Sequence, residues 1–221
     1  MQRYARLAVL ISLLAVSASA ADPVADPGAP TLPPAVAALF INRPATDRLR
    51  GTFTLETQDA NGGGHRMGDF AVVRGVAGQP PRYHFKMAKA DGSDLERRCS
   101  DGQRSWKVQQ ADPGWPMDVQ IQAPGADADY RRVVDCLLLE SAALLQDFLL
   151  SVEAEGDRPV LVLKPKTEDL QRDLAAIRIH VSTLGDPVDL SIDDGKGMVM
   201  VVRFAGLVRN GPVEPALFRV E

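Results

Sequence analysis

The sequence has 221 residues, with 25 Lys and Arg against 29 Asp and Glu and a mean hydropathy of −0.09. An acidic balance with scattered basic residues argues against nucleic acid and against tight binding to anionic membrane surfaces. The length suits one large domain, and no run after the first twenty residues reaches the ~18 apolar residues that a membrane helix needs.

Residues 1–20 read as a secretory signal peptide. Arg3 and Arg6 make a basic start, Leu7 to Val16 is apolar, and Ser17 to Ala20 supplies small residues for cleavage. The apolar run is too short for a permanent anchor, and no cysteine near the cleavage site could take a lipid. Without Arg3 and Arg6, 23 of the 25 basic residues remain against 29 acidic ones, a net charge of −6. The stretch ADPVADPGAPTLPP, residues 21–34, holds five prolines and can make neither helix nor ladder. Residues 21–33 are therefore expected to be a disordered leader and 34–221 one folded domain. Pro34 suits a first helical turn, and a short helix should run through Val36, Leu39 and Phe40.

From Leu49 the apolar period is two. Leu49, Gly51, Phe53 and Leu55 alternate with Arg50, Thr52, Thr54 and Glu56. Asp59 to Gly64 reads as a hairpin tip, with MGDFAVVR as its return strand. Strands are expected at 82–89, 94–99, 104–110 and 117–123, separated by Asp91-Gly92, Asp101-Gly102 and an ADPGWP loop. Regular spacing and Asp-Gly turns describe an antiparallel meander. From Tyr130 to Leu149 the period changes to that of an amphipathic helix, with room for a break near Ser141. The meander then resumes at 159–165, 176–182, 187–193, 197–205 and 216–220. About eleven strands with a single inserted helix make an α+β, mainly β fold, best formed as one strongly curved sheet or incomplete barrel.

The strand after Asp194-Gly195 is apolar on both faces, with Met198, Met200, Val202 and Phe204 on one and Val199 and Val201 on the other. Two explanations are open: a helix covers the second face, or the face serves an apolar guest. Catalytic signals are thin. His65, His84 and His180 lack metal-ligand spacing, no nucleophile elbow or HExxH helix is present, and Asp193-Asp194 lies in a turn. No enzyme activity, metal or cofactor is expected. Export permits a disulfide between Cys99 and Cys136, the only cysteines, and that bond is the expectation; two buried free thiols are the alternative.

The segment DGSDLERRCSDGQRSWKV, with Ser100-Asp101-Gly102 and Trp106, resembles a block of the periplasmic outer-membrane lipoprotein carriers of the LolA type. AALLQDFLLSVEAEGDRPVLVLKPK resembles that family's lid helix and the two strands after it, through Leu163, Pro165 and Lys166. The run from Ile177 to Val220 is similar to its ending, through Asn210 and Phe218. The likeness spans about residues 34–221. It implies a half-barrel whose helical lid closes a cavity for acyl chains, a periplasmic location, an inner-membrane donor transporter and an outer-membrane acceptor. A sensor or regulatory lipid-binding module of the same fold is the alternative. The chain departs from the family where a functional arginine is replaced by Gln79, with Arg74 and Arg82 close by, and in having only seven Phe, three Tyr and two Trp. With that fold, Phe53, Leu55, Phe70, Val72, Tyr83, Phe85, Met87, Trp106, Met200, Val202 and Phe204 are expected to face the cavity. Val134, Leu137, Leu138 and Leu145 should face them from the lid. The protein is expected to act as a monomer carrying a lipoprotein or another lipid-like cargo.

Overall fold

The computed structural model describes residues 33–41, 43, 45–60, 62–76, 79–123, 126–156 and 158–220. The expected signal peptide and most of the leader lie outside them. Helix α1 (Pro34–Ile41) begins at the proline expected to start it. The first meander comprises β1 (Arg48–Asp59), β2 (Gly62–Val73), β3 (Arg82–Ala88), β4 (Leu95–Ser100), β5 (Ser105–Gln110) and β6 (Asp118–Ile121). Helices α2 (Ala128–Leu138) and α3 (Ser141–Asp147) follow. The second meander runs through β7 (Phe148–Glu155), β8 (Arg158–Pro165), a one-turn α4 (Glu168–Gln171), β9 (Ala176–Val181), β10 (Pro187–Asp193) and β11 (Val199–Arg209).

All eleven strands pair antiparallel in one open sheet, in the order β6-β5-β4-β3-β2-β1-β11-β10-β9-β8-β7. Each meander is a series of hairpins, so both grow outward from the central β1–β11 seam. The chain must then cross from one edge, β6, to the other, β7, and α2 and α3 make that crossing. At ~1.5 Å per residue the 11 and 7 residues of these helices reach about 16 and 10 Å. Ten strand spacings at ~4.8 Å make an arc of about 48 Å, so the helices cover the sheet only because it curls beneath them.

Alternation on the strands assigns the faces. Phe53, Leu55, Phe70, Val72, Tyr83, Phe85, Met87 and Met200 form one buried cluster with Tyr130, Val134, Leu137 and Leu138 of α2. A second cluster joins β7 to β10 with Val36, Cys136, Leu139, Leu144 and Phe148. Both lie on the concave face, and Ile192, Val202 and Phe204 touch both. The convex face of β11 is not covered by a helix: Val199 is exposed and Val201 half-buried. The helix therefore covers only one of that strand's two apolar faces.

The expected 130–149 helix ends early, at Asp147, and is broken near Ser141, as its pattern allowed, into the longer α2 and α3. Helix α2 stops at Leu139, which takes a left-handed φ of 50°. The Leu139 and Glu140 N–H groups donate to the Cys136 and Asp135 carbonyls at 3.3 and 2.9 Å, a Schellman closure with leucine where glycine is usual. Leu139 tolerates this backbone because its side chain is buried in the second cluster. Phe148 and Leu149, which continue the helical period, already belong to β7. Residues 216–220, expected as a strand, instead enter a 3₁₀ turn, Pro215–Phe218, that packs Phe218 against Ala71 and Val73 on the convex face. Gly62 to Gly64, expected in a hairpin tip, pair with Asp59, Gln58 and Thr57, which leaves a two-residue connection.

Leu139→Gly should relieve about 1–2 kcal/mol of backbone strain and lose about 2–5 kcal/mol of packing. A net loss of about 1–3 kcal/mol in urea unfolding is expected; a gain in stability would show that the corner is held by backbone geometry alone.

Candidate functional site: an apolar cavity under the crossing helix

Between the two clusters, under α2, lies a cavity of about 130 Å³. Its floor is Phe53, Leu55, Phe85, Met87, Met200, Val202 and Phe204, residues expected there from alternation. Ile177, Leu190 and Ile192 of β9 and β10 complete the floor, Leu174 adds a side wall, and Tyr130, Val133 and Cys136 form the roof. These were missed, although Ile177, Leu190 and Ile192 show the same alternation and Val133 and Cys136 lie on the helix's apolar side. The walls are almost wholly apolar; Arg132 and Asp173 are its charged members. Arg132 donates to Asp147 at 2.9 Å, and Asp173 accepts from Lys196 at 2.6 Å.

Other expected positions fall elsewhere. Phe70, Val72 and Tyr83 share the concave face but pack beside the void rather than around it. Val134, Leu137 and Leu138 are buried wedges that seat α2, and Leu145 packs half-buried against the β7–β10 cluster. Trp106 stands opposite Cys99, which stands opposite His84; this register puts all three on the convex face. The concave positions of β5 are Ser105, Lys107 and Gln109 instead. Although aromatic residues are few, six are gathered here. Phe70 stacks on Phe85 at 6.1 Å and meets Phe204 edge-on at 5.7 Å, Phe53 tilts towards Phe70, and Tyr83 stacks on Tyr130 at 6.0 Å.

Polar groups hold α2 at both ends. At its start, the Tyr83 hydroxyl donates to Asp127 at 3.0 Å and the Tyr130 hydroxyl to Glu96 at 3.1 Å. Glu96 also accepts from Arg98 at 2.8 Å, whose guanidinium lies 5.1 Å from the centre of the Tyr130 ring. Burial and the neighbouring Asp127 carboxylate hold the Tyr83 hydroxyl well above its ordinary pKa. At its end, Arg43 donates to the Leu137 and Leu138 carbonyls, which the helix itself leaves free. Burial and Arg209 lower the Arg43 pKa to about 10. Arg74 pairs with Glu140 at the α2–α3 corner, and Arg82 lies over the Phe218 ring on the convex side. Of the two arginines near Gln79, only Arg74 reaches the crossing helices.

Cys99 and Cys136 are buried free thiols, which corrects the expected disulfide. The sheet separates them: Cys99 lies on the convex face, while Cys136 borders the cavity on the concave side. Cys99 stands opposite His84, which contacts Asp69, as a nucleophilic cysteine site would need. However, His84 Nε2 is 3.2 Å from Asp69, and Nδ1 accepts from Arg97, so neither ring nitrogen is left for the sulfur. Burial raises both thiol pKa values, which works against thiolate formation. Mass mapping after non-reducing, denaturing alkylation should find both cysteines labelled; a linked Cys99–Cys136 peptide would overturn this placement.

Asp135, on α2, is the carboxylate most perturbed here. Burial, then the Glu140 and Asp147 carboxylates, push its pKa up to about 7, against the pull of Arg132 and Arg131. The folded state therefore binds this proton more tightly than the unfolded chain, so the stabilisation is full below about pH 4 and is lost as pH rises through 7. Asp135→Asn should flatten the fall in melting temperature between pH 4 and 7 relative to the unsubstituted protein. His180 works in the same direction at higher pH: burial opposes its charge, but hydrogen bonds to Glu155 and Asp189 hold its pKa above the ordinary value. An unchanged pH profile in Asp135→Asn would show that the carboxylate is well solvated.

An incomplete antiparallel barrel with a helical strap over an apolar cavity defines the class of protein. By sequence, the chain is similar to a lipoprotein carrier protein. An outer-membrane lipoprotein carrier protein of Alkalilimnicola ehrlichii is 26% identical over 175 residues, covering 78% of this chain and 73% of that protein. No family model matches. Among solved structures, a DUF1329 family protein of Desulfovibrio piger superposes with a TM-score of 0.49 at 10% identity, covering 83% of this chain and 93% of that one. A LolA superfamily protein of Nitrosomonas europaea gives 0.42 at 12% identity, covering 83% and 97%.

Proposed function

We propose that the protein is a periplasmic carrier that takes acyl chains of a lipoprotein, or of another lipid-like cargo, into the cavity under α2 for transfer towards the outer membrane. The observation that carries this reading is the apolar cavity astride the central seam, lined by both meanders and roofed by a helix tethered mainly at its ends. The relationship to a lipoprotein carrier supports it. Burial of each CH₂ contributes about 0.8 kcal/mol, so an acyl chain can be held there without a specific anchor. The cavity is about 130 Å³, near the roughly 150 Å³ that accepts benzene and below the roughly 300–1,000 Å³ of common ligand pockets. A full chain, on this reading, enters as α2 shifts away from the floor. On this reading an inner-membrane transporter loads the protein and an outer-membrane acceptor empties it.

The mature protein should quench or enhance a fluorescent fatty acid saturably, and lipid should co-purify with it from the periplasm. Val133→Asp places a carboxylate in the cavity roof and should weaken uptake at least ten-fold with the β-type circular dichroism retained. If the unsubstituted protein takes up no fatty acid and its extract holds no lipid, the carrier reading fails. Normal lipoprotein sorting in a deletion strain, with lipid binding intact, would instead favour a sensor module.

A further inference from the structure

The two edges of the sheet are treated differently. Helix α1 packs on β7, and that strand carries the exposed carboxylates Glu153 and Glu155. At the β6 edge, Trp115, Met117, Val119 and Ile121 are 62, 62, 46 and 68% exposed. Ile121 and Val119 stand opposite Trp106 and Val108, so they form one convex-face row. Among the described residues, no strand pairs with the far side of β6. The Gln122 N–H turns inward to the Ser105 carbonyl at 2.9 Å. By alternation, the N–H and C=O groups of Ile121, Val119 and Met117 point outward to the open edge. A bare backbone beside an apolar row is a template for another strand.

We propose that this edge pairs with the β6 edge of a second copy, antiparallel about a two-fold axis at Val119. That register joins Val119 to Val119 of the second copy and Met117 to Ile121 of the second copy. It sets Asp118 against a glutamine, Gln120, so that no like charges face each other. The head-to-tail alternative, β6 on β7, meets a strand already packed by α1, so the assembly closes as a dimer instead of growing into a fibre. Large side chains at this exposure offer on the order of 100 Å² each. Four from each copy, with the backbone, approach the roughly 1,000 Å² that marks a specific interface. The dimer is accordingly reversible, and its surface lies on the opposite face of the sheet from the cavity, independent of the cargo reading.

Sedimentation of the mature protein over a hundred-fold concentration range tests this. The unsubstituted protein should shift from monomer to dimer, and Val119→Lys should weaken association at least ten-fold with its melting temperature kept. Paired residues at a two-fold axis lie about 5.5 Å apart at Cα, within disulfide reach. Val119→Cys should therefore oxidise to a covalent dimer faster than Leu184→Cys, at an exposed position in the turn between β9 and β10. A monomer at every concentration, or equal rates for the two cysteine variants, overturns the proposal. So does a monomer that retains a foreign protein through Val119, which would assign the edge to another chain's strand.

Discussion

The fold depends on one crossing. Two meanders share a central seam, so the chain leaves the first at β6 and must enter the second at β7, the opposite edge of the same sheet. Only α2 and α3 make that journey among the described elements, and they are shorter than the arc they cover. The sheet curls to meet them, and the side chains of α2 serve two clusters instead of one. A single helix of 11 residues cannot fill the space between both clusters, and the remainder is the cavity. The void follows from the connectivity, and its apolar lining from the alternation that each strand needs for its own burial.

The polar groups around α2 answer a different requirement. Burying Glu96 with Arg98, or Asp127 with Tyr83, adds little net stability compared with apolar residues of similar size, because desolvation offsets the pairing. Such groups do fix geometry. Tyr130 can reach Glu96 only with α2 in one rotation, and Arg43 can reach the last carbonyls only with the helix at one depth. The middle of the helix borders the void through Val133 and Cys136, whose apolar contacts carry less direction than hydrogen bonds.

Much of this was legible in the sequence. Period-two alternation and Asp-Gly turns marked ten of the strands in place, and the same alternation put Phe53, Leu55, Phe85, Met87, Met200, Val202 and Phe204 on the floor. What stayed hidden has physical reasons. Phe148 and Leu149 fit the helical period of the segment before them, so the start of β7 was not visible. Trp106 was assigned by its neighbourhood to Ser100-Asp101-Gly102, but that turn fixes the parity of β5 and sends the indole outward. Cys99 and Cys136 were expected to bond and do not; that a sheet stands between them is a fact of register that the sequence does not carry.

The central seam also has a consequence for how the chain folds. Residues such as Phe53 and Phe204 pair across β1 and β11, although almost the whole domain lies between them in sequence. Each meander can form from local hairpins, while the seam must close a very long loop, and loop closure of that length is slow relative to hairpin formation. The cavity floor takes Phe53 and Leu55 from one meander and Met200, Val202 and Ile192 from the other. Until the seam zips, those side chains face water on two separate half-sheets, each with a sticky flank. A newly made chain is therefore most vulnerable to association during that interval, and the cavity comes into being only when it ends.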